Sequence, residues 1–244
     1  MPKRKRATRS TAEPKRRCGP PVLVITGAPG VGKTHLVKAV VLRSDEKSFH
    51  DRFVLVKHGI NPQVVYAAEA KGKVVIVGGY KYPDDEKLWR KRSGTEPANG
   101  GTDTLTPQST GLLARLLRGE LHAQGEAPRL IVMEACAKAK LGRKSVLEAL
   151  LDASSLDILE LQRPAAEAVA ALAARSHAAD GKGVKGMPPD KTHAKFAAQV
   201  DDVRAAFEKR ADARSGPSRA KAWRQLNYEE ARAEVEARMA AAMA

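Results

Sequence analysis

At 244 residues, 43% of them hydrophobic, the chain is long enough for one substantial α/β domain with extra helices, but short of two full domains. No apolar run approaches the roughly 20 residues that span a bilayer, and no signal-peptide stretch follows the basic N-terminus, so a soluble intracellular protein is expected. A net charge of +15 favours a polyanionic partner, while two cysteines, Cys18 and Cys136, and six scattered histidines lack the spacing of a zinc site.

The charge is concentrated at the start. Lys3, Arg4, Lys5, Arg6, Arg9, Lys15, Arg16 and Arg17 against Glu13 alone give the first 17 residues a charge of +7. Residues 1–19 are therefore expected to form a disordered basic arm that contacts nucleic acid, DNA in particular. The pairing of Lys3-Arg4 with Lys15-Arg16-Arg17 also fits a bipartite nuclear address, which would place the protein in the nucleus of a eukaryotic host and otherwise in the cytoplasm. A solubilising tail without a partner is the plainer alternative.

Next comes the apolar run Val22-Leu23-Val24-Ile25, which predicts a buried strand, and then Gly27-Ala28-Pro29-Gly30-Val31-Gly32-Lys33-Thr34. These eight residues fill every position of the phosphate-binding loop pattern GxxxxGK[ST], and Leu36, Val37, Val40 and Val41 continue with helical spacing. Glycines let the backbone curl so that consecutive N–H groups point at phosphate oxygens. Lys33 is expected to reach the β- and γ-phosphates of a nucleoside triphosphate, read as ATP with GTP left open, and the Thr34 hydroxyl to bind Mg²⁺. The loop does not name the acceptor, because kinases, motors and GTPases share it.

Further strands are expected at Phe53–Lys57, Lys73–Val77, Arg129–Met133 and Asp157–Leu161, giving a mostly parallel, about five-stranded sheet between helical layers. A helix is expected over Leu112–Leu121. Between Tyr80 and Pro107 the apolar period disappears, and a long loop beginning at a strand's C-terminal end predicts a ligand-binding segment. Within it, Asp103 follows Gly100-Gly101 and could accept a proton from an attacking hydroxyl, although an Asp capping a turn reads the same way. The strand Arg129–Met133 ends in Glu134, a candidate Mg²⁺ ligand, directly or through water. Arg163, Arg175, Lys182 and Lys185 surround the helix expected at 164–178, and Arg175 is the one expected to stabilise transferred phosphoryl oxygens. Beyond Gly181–Pro189, helices are expected at 190–213 and, opened by a capping pair of Asn227 and Glu230, toward Ala242. The resulting division is a basic arm at 1–19, a kinase-like domain at 20–180 and a loosely packed helical extension at 181–244.

The loop, followed by Lys73-Val74-Val75-Ile76-Val77-Gly78-Gly79-Tyr80, then Gly100-Gly101-Thr102-Asp103-Thr104-Leu105, then Ile131-Val132-Met133-Glu134, resembles viral P-loop DNA kinases that phosphorylate 5-hydroxymethyluracil. The resemblance covers roughly residues 21–180 and implies the three-layer sandwich of P-loop nucleoside triphosphatases. It also implies a γ-phosphoryl transfer from ATP to a hydroxyl on DNA, with Asp103 positioning or deprotonating the acceptor. Ala135 stands where that family carries Gly, and the segment Lys81–Asn99 is longer and more basic. A nucleoside or nucleotide kinase, a nucleic-acid-dependent ATPase without an acceptor, and a P-loop fold that only binds remain alternatives.

Overall fold

The computed structural model describes residues 18–42, 54–60, 63–70, 73–78, 107–121, 128–135, 141–178, 187–213 and 221–244. Strand β1 (Val22–Thr26) leads through the glycine-rich loop Gly27–Gly32 into helix α1 (Lys33–Leu36), which continues as a π-helical stretch over Val37–Leu42. Strands β2 (Val54–Ile60), β3 (Gln63–Ala70) and β4 (Val74–Val77) follow, then helix α2 (Thr110–Leu117) and strand β5 (Leu130–Glu134). Helix α3 (Lys144–Leu151), strand β6 (Leu156–Leu161) and helices α4 (Ala165–Ala178) and α5 (Pro189–Ala213) come next. Strand β7 (Lys221–Leu226) and helix α6 (Tyr228–Met243) complete the described chain.

One seven-stranded sheet runs β2-β3-β4-β5-β1-β6-β7. The pairs from β4 to β7 are parallel, whereas β3 pairs antiparallel with both neighbours and is, among the described residues, the only strand of reversed direction. Side-chain alternation along the pleat divides the core in two. Val22, Val24, Ile131, Met133, Leu156 and Ile158 point to one face, where α2, α3 and α5 cover them. Leu23, Ile25, Leu130, Val132, Leu159 and Leu161 point to the other, against α1, α4 and α6. With both faces covered, the central strands must be apolar throughout, as β1 and β5 are.

The count of about five strands was too low. β3 carries alanines and Glu69, residues common in helices, and β7 is a half-buried edge strand with Lys221, Arg224 and Gln225. Neither has the continuous apolarity used to find strands. β2 stands at the expected place but belongs to the antiparallel β2-β3-β4 meander. Helix α2 ends earlier than Leu121 because Gly119, at φ +78°, takes the left-handed position of a Schellman turn. Its N–H donates to the Leu116 carbonyl, and the Glu120 N–H donates to that of Arg115.

The last quarter of the chain is more than a helical extension. β7 pairs with β6 over six residues, α5 adds Val200, Val203 and Phe207 to one core, and α6 adds Ala231, Val235 and Met239 to the other. The capping box is present, with Asn227 accepting from the Glu230 N–H and Glu230 accepting from the Asn227 N–H. Among the described residues no helix is long and apolar enough to cross a membrane. The basic arm through Arg17 lies outside the described residues.

Candidate functional site

The C-terminal ends of β4, β5, β1, β6 and β7 share one edge of the sheet, and the loop Gly27–Gly32 curls over the middle of it. Gly30 has φ +89° and Gly32 +101°, backbone that side chains rarely adopt. Space forces glycine at position 30 as well, since a Cβ there would stand 2.3 Å from the Ala168 carbonyl oxygen of α4. The loop therefore packs directly against a helix that lies far along the sequence.

Inside the loop Lys33 is 9% exposed, and its Nζ donates to the carbonyl oxygens of Gly27 at 3.0 Å and Ala28 at 3.1 Å. The Thr34 hydroxyl donates to Glu134 Oε1 at 2.6 Å, a short charge-assisted bond. Pairing of β1 with β5 sets Ile25 opposite Glu134, so the carboxylate arrives beside the first turn of α1. The Thr26 hydroxyl donates to the Ala135 carbonyl at 2.9 Å and ties the two strand ends together. The hydroxyl and carboxylate thus meet beside the residue that carries the loop's ammonium.

The outer side of the loop is braced by two other elements. His193 Nδ1, from α5, lies 3.1 Å from the Pro29 carbonyl oxygen, which can only accept, so the ring donates from Nδ1. Arg163, just after β6, donates to the Gly30 carbonyl at 3.4 Å while pairing with Glu167 at 3.0 Å. These contacts occupy the Pro29 and Gly30 carbonyls.

Beneath them sits a second buried carboxylate, Glu160. It accepts from the Arg204 guanidinium and the Trp223 indole, each at 2.7 Å, and from the side-chain amides of Gln162 and Gln225. Four donors from three directions lock the ends of β6 and β7 to α5. Beside the loop lies an open cavity of about 670 Å³ lined by Gly30, Gly32, His35, Arg163, Ala171 and Tyr228, among others. The rings of His35 and Tyr228 stand 5.8 Å apart, tilted by 34°. Burial is the main cause pushing the Tyr228 phenol above its ordinary pKa; Arg232 opposes it.

No protein-family model matches the chain, and no curated protein matches it significantly.

Of the site residues read from the sequence, Gly27, Ala28, Pro29, Gly30, Val31, Gly32, Lys33 and Thr34 form the loop and first turn, and Glu134 adjoins Thr34. Asp103, Lys182 and Lys185 lie outside the described residues, and Arg175 is in α4, about 10 Å along the helix beyond the Ala168 contact. His193, Glu160 and Tyr228 escaped sequence reasoning. The one available signal was the capping pair, which set the start of α6 beside Tyr228 without showing what that start would face. Among the described residues no group of three or more His, Cys, Asp or Glu could hold a metal ion. A nucleotide Mg²⁺ does not require one, because phosphates and water complete its shell beside one or two protein oxygens. Thr34 Oγ1 and Glu134 fit that requirement.

Proposed function

We propose that this chain is a P-loop phosphotransferase that moves the γ-phosphoryl group of ATP, with Mg²⁺, to a hydroxyl on nucleic acid, 5-hydroxymethyluracil in DNA being the leading acceptor. The observation that carries this reading is the 2.6 Å Thr34–Glu134 bond beside the buried Lys33. A glycine loop between a central parallel strand and a helix supports a P-loop nucleoside triphosphatase fold.

In this reading Lys33 exchanges its two carbonyl partners for β- and γ-phosphate oxygens, and the loop N–H groups hold the same phosphates. Thr34 and, directly or through water, Glu134 would hold Mg²⁺, which would supply neutralisation of phosphate charge. The acceptor oxygen forms the new bond to the γ-phosphorus as the bond to the β–γ bridging oxygen breaks, and ADP leaves. Asp103, from the sequence resemblance, accepts the hydroxyl proton, and Arg175 is the candidate for closing over the transferred group. The basic arm supplies nonspecific contacts to DNA phosphates, and a base within a duplex must be unstacked to reach the site.

The test is incubation of the full chain with γ-labelled ATP and Mg²⁺ against DNA containing thymine or 5-hydroxymethyluracil and against free nucleosides, with Lys33→Ala as the blank. Label confined to hydroxymethylated DNA is expected. Label on nucleosides alone would make the protein a small-molecule kinase, and release of phosphate alone an ATPase.

A further inference from the structure

We infer that the cavity of about 670 Å³ between the phosphate loop, α4 and the start of α6 is the subsite for the base and ribose of the donor nucleotide, with Tyr228 as its stacking platform. The inference rests on the nucleoside triphosphate reading above and adds to it where the uncharged half of the donor sits.

Continuity is the first reason. Gly30 and Gly32 belong both to the phosphate loop and to the cavity wall, so a group in the cavity joins phosphates in the loop without leaving the protein surface. Tyr228 is the residue against Gly32, where an added Cβ would be 3.4 Å from its ring. Size is the second, since small-molecule sites usually enclose about 300–1,000 Å³.

Charge decides which ligand the cavity suits. In a chain of net charge +15, this wall carries one guanidinium, Arg163, against two carboxylates, Glu167 and Glu229, and Arg163 is already paired with Glu167. A track for a nucleic-acid backbone needs an excess of cations. An aromatic face with amide side chains, Gln162 and Asn227, nearby instead suits a neutral base with a hydrogen-bonding edge.

Topology separates this flank from the acceptor's. The cavity borders the residues that follow β6 and β7, whereas β4, the strand that leads toward the long segment expected to meet the acceptor, lies beyond β5 on the other side of β1. Donor nucleoside and acceptor then approach the γ-phosphate from opposite flanks of β1.

Calorimetric binding of Mg·ATP and of Mg·tripolyphosphate, which has the phosphates but no nucleoside, tests the inference. Tyr228→Ala should weaken Mg·ATP about tenfold or more, within the range for loss of one base–aromatic stack, and leave tripolyphosphate unchanged. Ala171→Trp, which fills the cavity from α4 and does not depend on how Tyr228→Ala folds, should do the same, while Tyr228→Phe keeps the ring face and should bind as wild type. Lys33→Ala should weaken both ligands. Wild-type ATP affinity in Tyr228→Ala and Ala171→Trp, or equal loss of both ligands, would overturn the subsite while leaving the phosphate loop assignment intact. Failure of the wild type to bind either ligand would overturn the triphosphate reading itself, and the subsite with it.

Discussion

Glu134 and Glu160 occupy comparable positions: each lies at the C-terminal end of a strand next to β1, Glu134 as the last residue of β5 and Glu160 as the last but one of β6, each is 4% exposed, and they pair across from Ile25 and Thr26 respectively. Their surroundings differ because their parity differs. Glu134 continues the Leu130–Val132 row toward the face of α1, where it accepts from Thr34. Glu160 continues the Leu156–Ile158 row toward the face of α5, where it accepts from Arg204, Trp223 and two glutamines. A guanidinium within hydrogen-bond distance makes Glu160 a fastener that holds strand ends and helix together. The Thr34 hydroxyl beside Glu134 is what makes that carboxylate the proposed partner for a nucleotide's metal. A one-residue shift along a strand decides which role an acid takes.

Exchanging each carboxylate separates the two roles. Glu134→Gln should lower the rate of phosphoryl transfer by about 10²–10³, the scale of losing one electrostatic contact to the transition state, with thermal stability nearly unchanged. Glu160→Ala should do the reverse. It leaves the Arg204 guanidinium without its buried carboxylate and should cost about 3 kcal/mol in denaturant unfolding, while the rate per folded molecule stays near wild type. Equal effects of both variants on rate would dissolve the distinction.

The loop beside them can be tested through its backbone. Gly30→Ala should cost at least about 2 kcal/mol, since it adds strain at φ +89° to a collision with the Ala168 carbonyl. A variant of wild-type stability would mean that α4 does not pack on the loop as described. The smallest effect is expected far from the site, at Glu234. Hydrogen bonds from Arg224 and then Arg238 hold its carboxyl below the usual range, against the opposing effect of burial. The stabilisation is therefore present at neutral pH and lost as pH falls through the depressed pKa. Glu234→Gln should cost about 0.5–1 kcal/mol at pH 7, as expected of partly exposed pairs, and the gap from wild type should close in acid.

Much of this arrangement was legible in the sequence where chemistry and local pattern coincide. The loop needs glycines and Lys-Thr at fixed spacing, strands β1, β4 and β5 were visible as nearly uninterrupted apolar runs, and β6 was visible despite Asp157 and Glu160. Helices α4, α5 and α6 began and ended within one residue of the bounds expected from their punctuation, Gly181–Pro189, Gly216-Pro217 and the Asn227 cap. Partly exposed or alanine-rich segments were missed, because β3, β7 and α3 earn their places through pairing and packing with distant elements. The Glu160 cluster was invisible for a related reason: two of its donors, Arg204 and Trp223, lie 44 and 63 residues away. An acid at a strand end can be seen in the sequence, but the helix that covers its face cannot.

The most direct measurement is the thermal shift produced by ATP with and without Mg²⁺ in wild type, Glu134→Gln and Glu160→Gln. A ligand that binds the folded state raises the melting temperature according to its affinity. The account predicts that Mg²⁺ enlarges the ATP-induced shift in wild type and in Glu160→Gln, even though the latter starts from a lower melting temperature, and adds little in Glu134→Gln. An undiminished Mg²⁺ effect in Glu134→Gln, or its loss in Glu160→Gln alone, would contradict the assignment of Glu134 to the metal.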